Sequence, residues 1–385
     1  MGGNTVQEQD LATIQMVDLH GQYLKIKANI DRAIQACIDT TAFIKGPQVS
    51  YFENQLADFL NVGHVVSCAN GTDALQLALM ALNLQPGDEI IIPAFTYIAV
   101  AEVIALLRLT PVLVDVDART FNISPEQIER AITSRTKLVV PVHLFGQCAD
   151  MERILSICNQ YQLHVIEDAA QAIGAMVTFA DGTSGMAGTM GDFGTTSFFP
   201  SKNLGCFGDG GAILTQDSER AGQVKMLANH GQSRKYHHEL VGINSRLDSL
   251  QAAILSEKLP YLLAYTQARQ QAAAQYDDRL SAIDAIEIPH RSKYSTHVFH
   301  QYTLKVPPDQ RNGLKDYLQQ KGIPSMVYYP IPVSSQKAYE KLGRVVGDLA
   351  ITHELCQRVL SLPMHTELSE QQIDYITETI TDYFQ

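Results

Sequence analysis

What this chain lacks narrows its function before any motif is considered. Basic residues are in deficit: 29 Lys and Arg stand against 41 Asp and Glu, a formal net charge of -12. That balance argues against general affinity for nucleic acid or for an anionic membrane. An anionic ligand would have to be held by placed residues and backbone N–H groups. The six cysteines, at 37, 68, 148, 158, 206 and 356, include no Cys-x-x-Cys pair and no dense framework. They read as buried or incidental thiols in a reducing compartment, with no disulfide and no metal site expected. No apolar run approaches the roughly 18 residues of a membrane span. Met1-Gly2-Gly3-Asn4-Thr5-Val6 has no apolar signal core, and Val6 stands where a myristoylation signal needs Ser or Thr. There is no internal repeat and no low-complexity stretch. A cytoplasmic location is the expectation.

What is present is enough chain for two lobes: 385 residues, 45% hydrophobic and 18% charged, as in an ordinary soluble globular protein. Residues 1 to about 15 read as a loose tail. From Tyr23 onward, Ile26, Ile30, Ile34 and Ile38 recur at helical spacing, and Val49, Phe52, Leu56, Phe59 and Leu60 mark a second helix. The rhythm then changes to short apolar runs, at 64–68, 89–92, 112–116, 137–142 and 164–167, separated by helical stretches. Such alternation predicts an α/β fold, a mostly parallel sheet with helices on both faces. It stops near Leu214, and residues 247–276 then read as a long helix interrupted at Pro260. Residues 298–306, the Tyr328-Tyr329-Pro330 segment and a terminal helix near 373–384 suggest a smaller α+β lobe. The expected division is a large α/β domain over 1–260 and a small domain over 261–385.

Lys202 carries the most chemistry. It stands in Ser197-Phe198-Phe199-Pro200-Ser201-Lys202-Asn203-Leu204-Gly205, with Gly208, Gly210 and Gly211 close behind. So many glycines point to tight backbone around a bulky ligand, although a lysine taken alone would be read as a surface residue. Upstream, Asp168 closes the run His164-Val165-Ile166-Glu167-Asp168. In open α/β sheets, ligands collect beyond the carboxyl ends of the strands. A lysine that can bond a carbonyl carbon and an acid that can pair with a ring nitrogen are the two groups pyridoxal phosphate (PLP) requires. Without Lys202, Asp168 reads equally well as a helix N-cap. Gln171 either reaches a phenolic oxygen or faces solvent. Asn70-Gly71-Thr72-Asp73-Ala74 follows one strand and opens a helix. It is either a plain capped start or an anion site built from Gly71, Thr72 and the helix N-terminus. His143 reads as a packed histidine.

These segments carry a resemblance. Asn70 to Leu75, Pro93-Ala94-Phe95-Thr96-Tyr97, Glu167-Asp168-Ala169-Ala170-Gln171 and the block from Ser197 to Gly211 stand in the order found in the DegT family of nucleotide-sugar aminotransferases. That family lies within the fold-type I PLP enzymes, and the similarity runs from Val17 to about Pro363. It implies a mostly parallel seven-stranded sheet in the large domain and a smaller C-terminal α+β domain. Lys202 would bond the cofactor and Asp168 would pair with its ring nitrogen. Gln171 would touch the phenolic oxygen, and Gly71, Thr72 and Ser197 would hold the phosphate. Tyr97 would stack on the ring; its alternative is a core aromatic. Asn244 would reach the phosphate from a neighbouring subunit, which implies a homodimer with a shared site.

The same resemblance implies an amino transfer from L-glutamate to a keto sugar on a nucleoside diphosphate, in cell-surface polysaccharide biosynthesis. The chain looks like members acting on UDP-2-acetamido-2-deoxy-3-oxo-glucuronate. Arg246 would then bind a substrate carboxylate, its alternative being a salt bridge at a helix start. His230, Tyr328 and Tyr329 would lie near the sugar nucleotide. Many relatives carry histidine where this chain has Tyr328, a departure in the sugar-facing region. Competing readings are a dTDP-linked 3- or 4-keto-deoxysugar aminotransferase and a sugar-nucleotide-sensing regulator without catalysis. A PLP-dependent sugar dehydratase of the same fold would replace the lysine by histidine, and Lys202 argues against it.

Overall fold

The computed structural model describes residues 14–385, so positions 1–13 of the expected tail lie outside the described residues. Two helices come first, α1 (Leu19–Thr40) and α2 (Pro47–Leu60). Strands and helices then alternate through β1 (His64–Cys68), α3 (Gly71–Ala81), β2 (Glu89–Pro93), α4 (Ala99–Leu106), β3 (Thr110–Val114) and α5 (Pro125–Ala131). The alternation continues with β4 (Thr136–Val139), α6 (Met151–Tyr161) and β5 (His164–Asp168). A hairpin of β6 (Met176–Thr178) and β7 (Ser184–Met186) precedes β8 (Phe193–Ser197) and β9 (Gly211–Thr215). Next come α7 (Ser218–Leu227), a second hairpin of β10 (Gln232–Arg234) and β11 (His237–His238), α8 (Ser249–Lys258) and α9 (Leu262–Leu280). The remainder holds β12 (Tyr302–Lys305), α10 (Arg311–Gln320), β13 (Arg344–Val345), α11 (Ala350–Arg358), β14 (Val359–Leu362) and α12 (Glu370–Phe384).

The main sheet has the order β1-β9-β8-β5-β4-β2-β3-β13. Every strand runs the same way except β9, which pairs antiparallel with both β1 and β8. β2 is buried along its whole length, as its uninterrupted Ile90-Ile91-Ile92 run requires of a strand covered on both faces. Seven of the strands are those of the expected large domain. The eighth, β13, comes from the chain beyond residue 261 and adds a parallel two-residue edge beside β3, pairing Arg344 with Val112 and Val345 with Leu113. Nothing in its composition marks a strand. Its arginine is drawn there by buried Glu89, whose carboxylate accepts from Arg344 at 3.1 Å.

Pro260 sits in a single 3-10 turn, Leu259–Tyr261, between α8 and α9, so the expected long helix is two. α9 carries the chain into a second core, where Tyr276, Tyr302, Leu304, Leu314, Leu362 and Ile376 are buried together. There β12 and β14 form a two-stranded antiparallel sheet. The terminal helix α12 begins with a reciprocal capping box between Ser369 and Gln372. Among the described residues no helix is long and apolar enough to cross a membrane. All six cysteines are free and buried.

Candidate active site

Because β1, β5 and β8 are parallel, their carboxyl ends open on one edge of the sheet. The antiparallel β9 starts at that same edge, with Gly211 paired to both Cys68 and Ser197. The segment between β8 and β9 therefore leaves the edge, turns back and carries Lys202 over it. A cavity of about 710 Å³ lies there, lined by Gly71, Thr72, Tyr97, Asp168, Gln171, Ser197 and Lys202, with Tyr328 and Tyr329 from the second lobe. This is the place where an open α/β sheet collects ligands.

Each residue is held by local structure. α3 starts at Gly71 because Asn70 caps it, its Oδ1 accepting from the Asp73 N–H at 2.8 Å. Gly71 must lack a side chain: a Cβ there would stand 2.8 Å from the Cβ of Ser197. The unpaired N–H groups of the first helical turn, the Thr72 hydroxyl and Ser197 thus share one open cradle of the kind that holds a phosphate. Asp168 is followed by a turn and not by a helix, which removes its capping alternative. Its Oδ1 accepts from the Ala170 N–H at 3.0 Å. Burial raises the carboxyl above its ordinary range, opposed by that N–H, by Lys202 and by His143. Burial also lowers the Lys202 ammonium to about 8, with Asp168 acting in the opposite sense. Lys202 is thus nearer to a free amine at neutral pH than a surface lysine.

Gln171 does not face solvent. Its Oε1 accepts from the Phe145 N–H at 2.8 Å and its Nε2 donates to Tyr329 Oη at 3.2 Å, which sets the amide's orientation. Tyr97 is 58% exposed at the cavity mouth, so it is no core aromatic. Its ring lies 6.2 Å from that of Tyr329. His143 is buried, with Nδ1 accepting from the Ala149 N–H and Nε2 donating to Glu167 at 2.9 Å. Glu167 also accepts from the N–H groups of Gly188, Met190 and Gly191. His143 is thus packed, as read from the sequence, and both side chains are bonded within the chain.

Three predicted residues lie elsewhere on the chain. Asn244 and His230 do not line the Lys202 cavity, and Arg246 lines a separate one of about 300 Å³ together with Lys45 and Lys225. Among the described residues Arg246 makes no ion pair, so its salt-bridge alternative is not realised. Sequence reading missed Thr96, Phe145, His300 and Gln301 in the wall of the cavity. Thr96 Oγ1 and His300 Nδ1 are buried without a hydrogen-bond partner. His300 and Gln301 stand just before β12 of the second lobe, and their being polar within the apolar run 298–306 is the signal that could have found them.

A model of the DegT/DnrJ/EryC1/StrS aminotransferase family matches residues 24–381. The chain belongs to this family. It is 46% identical over 371 residues to the UDP-2-acetamido-2-deoxy-3-oxo-D-glucuronate aminotransferase of Pseudomonas aeruginosa, covering 96% of this chain and 100% of that one. It is 43% identical to a protein of Geobacillus stearothermophilus named a pleiotropic regulatory protein, covering 96% and 98%. A UDP-N-acetyl-3-dehydro-alpha-D-glucosamine 3-aminotransferase of Acidithiobacillus ferrooxidans is 44% identical, covering 95% and 97%. Among solved structures, a Brucella abortus aminotransferase of the family superposes with TM-score 0.92 at 40% identity, covering 97% and 100%. Bacillus subtilis ntda with bound cofactor PMP superposes with TM-score 0.87 at 30% identity, covering 100% and 90%.

This enzyme is a PLP-dependent aminotransferase of fold type I, and its cavity fits the cofactor. The glycine-cleared cradle suits a phosphate, the buried carboxyl of Asp168 suits a ring N–H, and Lys202 suits an aldehyde. The rate at which apo-enzyme bonds PLP covalently is expected to rise with pH and level off with a midpoint near 8, because only the neutral amine is nucleophilic. Stopped-flow absorbance between pH 6.5 and 9.5 checks it, and a flat profile would remove Lys202's depressed basicity from the account.

Proposed function

We propose that this aminotransferase moves the amino group of L-glutamate to a UDP-linked 3-keto sugar that bears a carboxylate, 2-acetamido-3-keto-glucuronate. The reading extends to a role in cell-surface polysaccharide biosynthesis and to a cytoplasmic homodimer with a shared site. The observation that carries it is Arg246, unpaired in a cavity of its own, in a chain 46% identical to the Pseudomonas enzyme named for that sugar. The homodimer is supported by charge. Asp73, Asp168 and Asp209 line the Lys202 cavity, against Lys202 as the one Lys or Arg among its described lining residues. A nucleoside diphosphate sugar calls for cationic and N–H donor partners that are scarce in this wall, and a second copy would bring the Arg246 cation together with the neutral Asn244 amide as a donor. The free, buried cysteines accord with a reducing compartment.

In this reading PLP, when bound, supplies an electron sink for the carbon that loses or gains a proton. Gly71, Thr72 and Ser197 would hold its phosphate, Asp168 would keep its ring nitrogen protonated, and Gln171 and Tyr97 would fix the ring. Lys202 would be the base that takes and returns the proton at the donor's Cα. The same amine would serve both half-reactions.

Arg246→Ala tests the substrate. A desolvated arginine–carboxylate pair is worth roughly 2 to 5 kcal/mol, so kcat/KM should fall at least about 30-fold more for the uronate than for its uncharged hexose counterpart. Equal losses on both sugars would reassign Arg246 to folding or to the phosphate. A preference for a 4-keto or deoxythymidine-linked sugar would reject the substrate while leaving the aminotransferase in place.

A further inference from the structure

A second lysine, more deeply buried than Lys202, is bonded to the turn that carries it. Lys258, the last residue of α8, is 3% exposed and does not line the Lys202 cavity. Its Nζ donates to the carbonyl oxygen of Gly205 at 2.6 Å and lies 5.5 Å from the centroid of the Phe207 ring. No carboxylate stands within ion-pair distance of it among the described residues. Burying an ammonium without an acid is costly, and here burial lowers it to about 8, in the same sense as the nearby Arg269 cation. A neutral methionine or leucine would fill the same space without that cost. The charge-assisted bond to Gly205 is what a hydrocarbon would not provide.

Gly205 is the place where the turn carrying Lys202 doubles back. A Cβ there would meet the Pro200 carbonyl oxygen at 2.3 Å, so the two backbones touch. The inner half of the turn is closed by backbone bonds, Lys202 N–H to Phe199 O at 2.8 Å and Cys206 N–H to Phe198 O at 2.8 Å. Its outer half is gripped by Gln251 of α8, which bonds both the N–H and the carbonyl of Phe207. Between these, the carbonyl three residues past Lys202 points inward and is met by Lys258. We propose that Lys258 is a positioning residue that fixes the Phe199–Gly211 turn on α8 and thereby aims the Lys202 amine into the cavity.

The inference rests on Lys202 as the residue that bonds PLP. It is tested with Lys258→Met, which keeps the volume, and Lys258→Gln, which keeps a donor. The readouts are the melting temperature of the apo-enzyme and the rate of covalent PLP attachment, with the attached residue confirmed by borohydride reduction and peptide mass. Steady-state kcat and KM are measured alongside. Lys258→Met should slow attachment and lower kcat by roughly 10- to 100-fold, the scale of about a 1 Å misplacement, with the sugar KM little changed. Lys258→Gln should recover much of both. Attachment at the wild-type rate in Lys258→Met would overturn the proposal. So would parallel losses of melting temperature and attachment that Gln does not restore, or failure of both variants to fold, since Lys258 would then serve the fold alone. PLP attachment persisting in Lys202→Ala would instead overturn the role of Lys202.

Discussion

Lys202→Ala is expected to lower transamination by about 10⁴-fold or more, because in the proposed function one side chain is both the nucleophile that bonds the cofactor and the base that moves the proton. The fold should survive. The lysine is half-buried and desolvation lowers its ammonium from 10.5 to about 8, so the folded chain below pH 8 carries a desolvation cost that alanine does not. The sign is testable. Between pH 8 and 10.5 the unfolded chain holds a proton on Lys202 that the folded chain has released, so stability owed to this group rises with pH across that window. The apo form of Lys202→Ala should therefore melt above the wild type at pH 7, and the gap should close toward pH 10.5. Calorimetry of the two apo-enzymes at both pH values reads this. Substantial residual transaminase activity in the variant would sink the assignment of Lys202.

Asp168→Asn is the second large effect. Its carboxyl is buried, and the bonds it accepts within the chain leave it raised above its ordinary range. A positively charged ring N–H would supply the missing partner and hold Asp168 ionised. The amide of asparagine cannot match that charge, so kcat should fall by roughly 10²- to 10⁴-fold and PLP should leave the protein more readily. Without cofactor the ordering reverses: an amide costs less to bury than a carboxylate, and apo Asp168→Asn should be at least as stable as the wild type at pH 7. Turnover equal to wild type would return Asp168 to a structural role in the turn it begins.

The sequence determined the larger part of the scaffold. The short apolar runs at 64–68, 89–92 and 164–167, alternating with helical stretches, read as buried strands and are strands. The glycines after Lys202 announced a tight turn because backbones touch there. Asp168 and Gly71 were legible because both stand at the carboxyl end of a strand, where topology alone places a site. Tertiary structure decided the rest. That Gln171 is oriented by Phe145 and Tyr329 depends on residues 26 and 158 positions away. β13 is a strand only because buried Glu89 and the open edge of β3 await it. His300 and Gln301 join the cavity because the segment leading into β12 passes along it, and Lys258 meets Gly205 because the end of α8 packs against the turn. Local patterning sets which segments are strands and helices, since that depends on neighbours within a few residues. Which side chains share a cavity is set by crossings between distant segments, and those are written in packing, not in spacing.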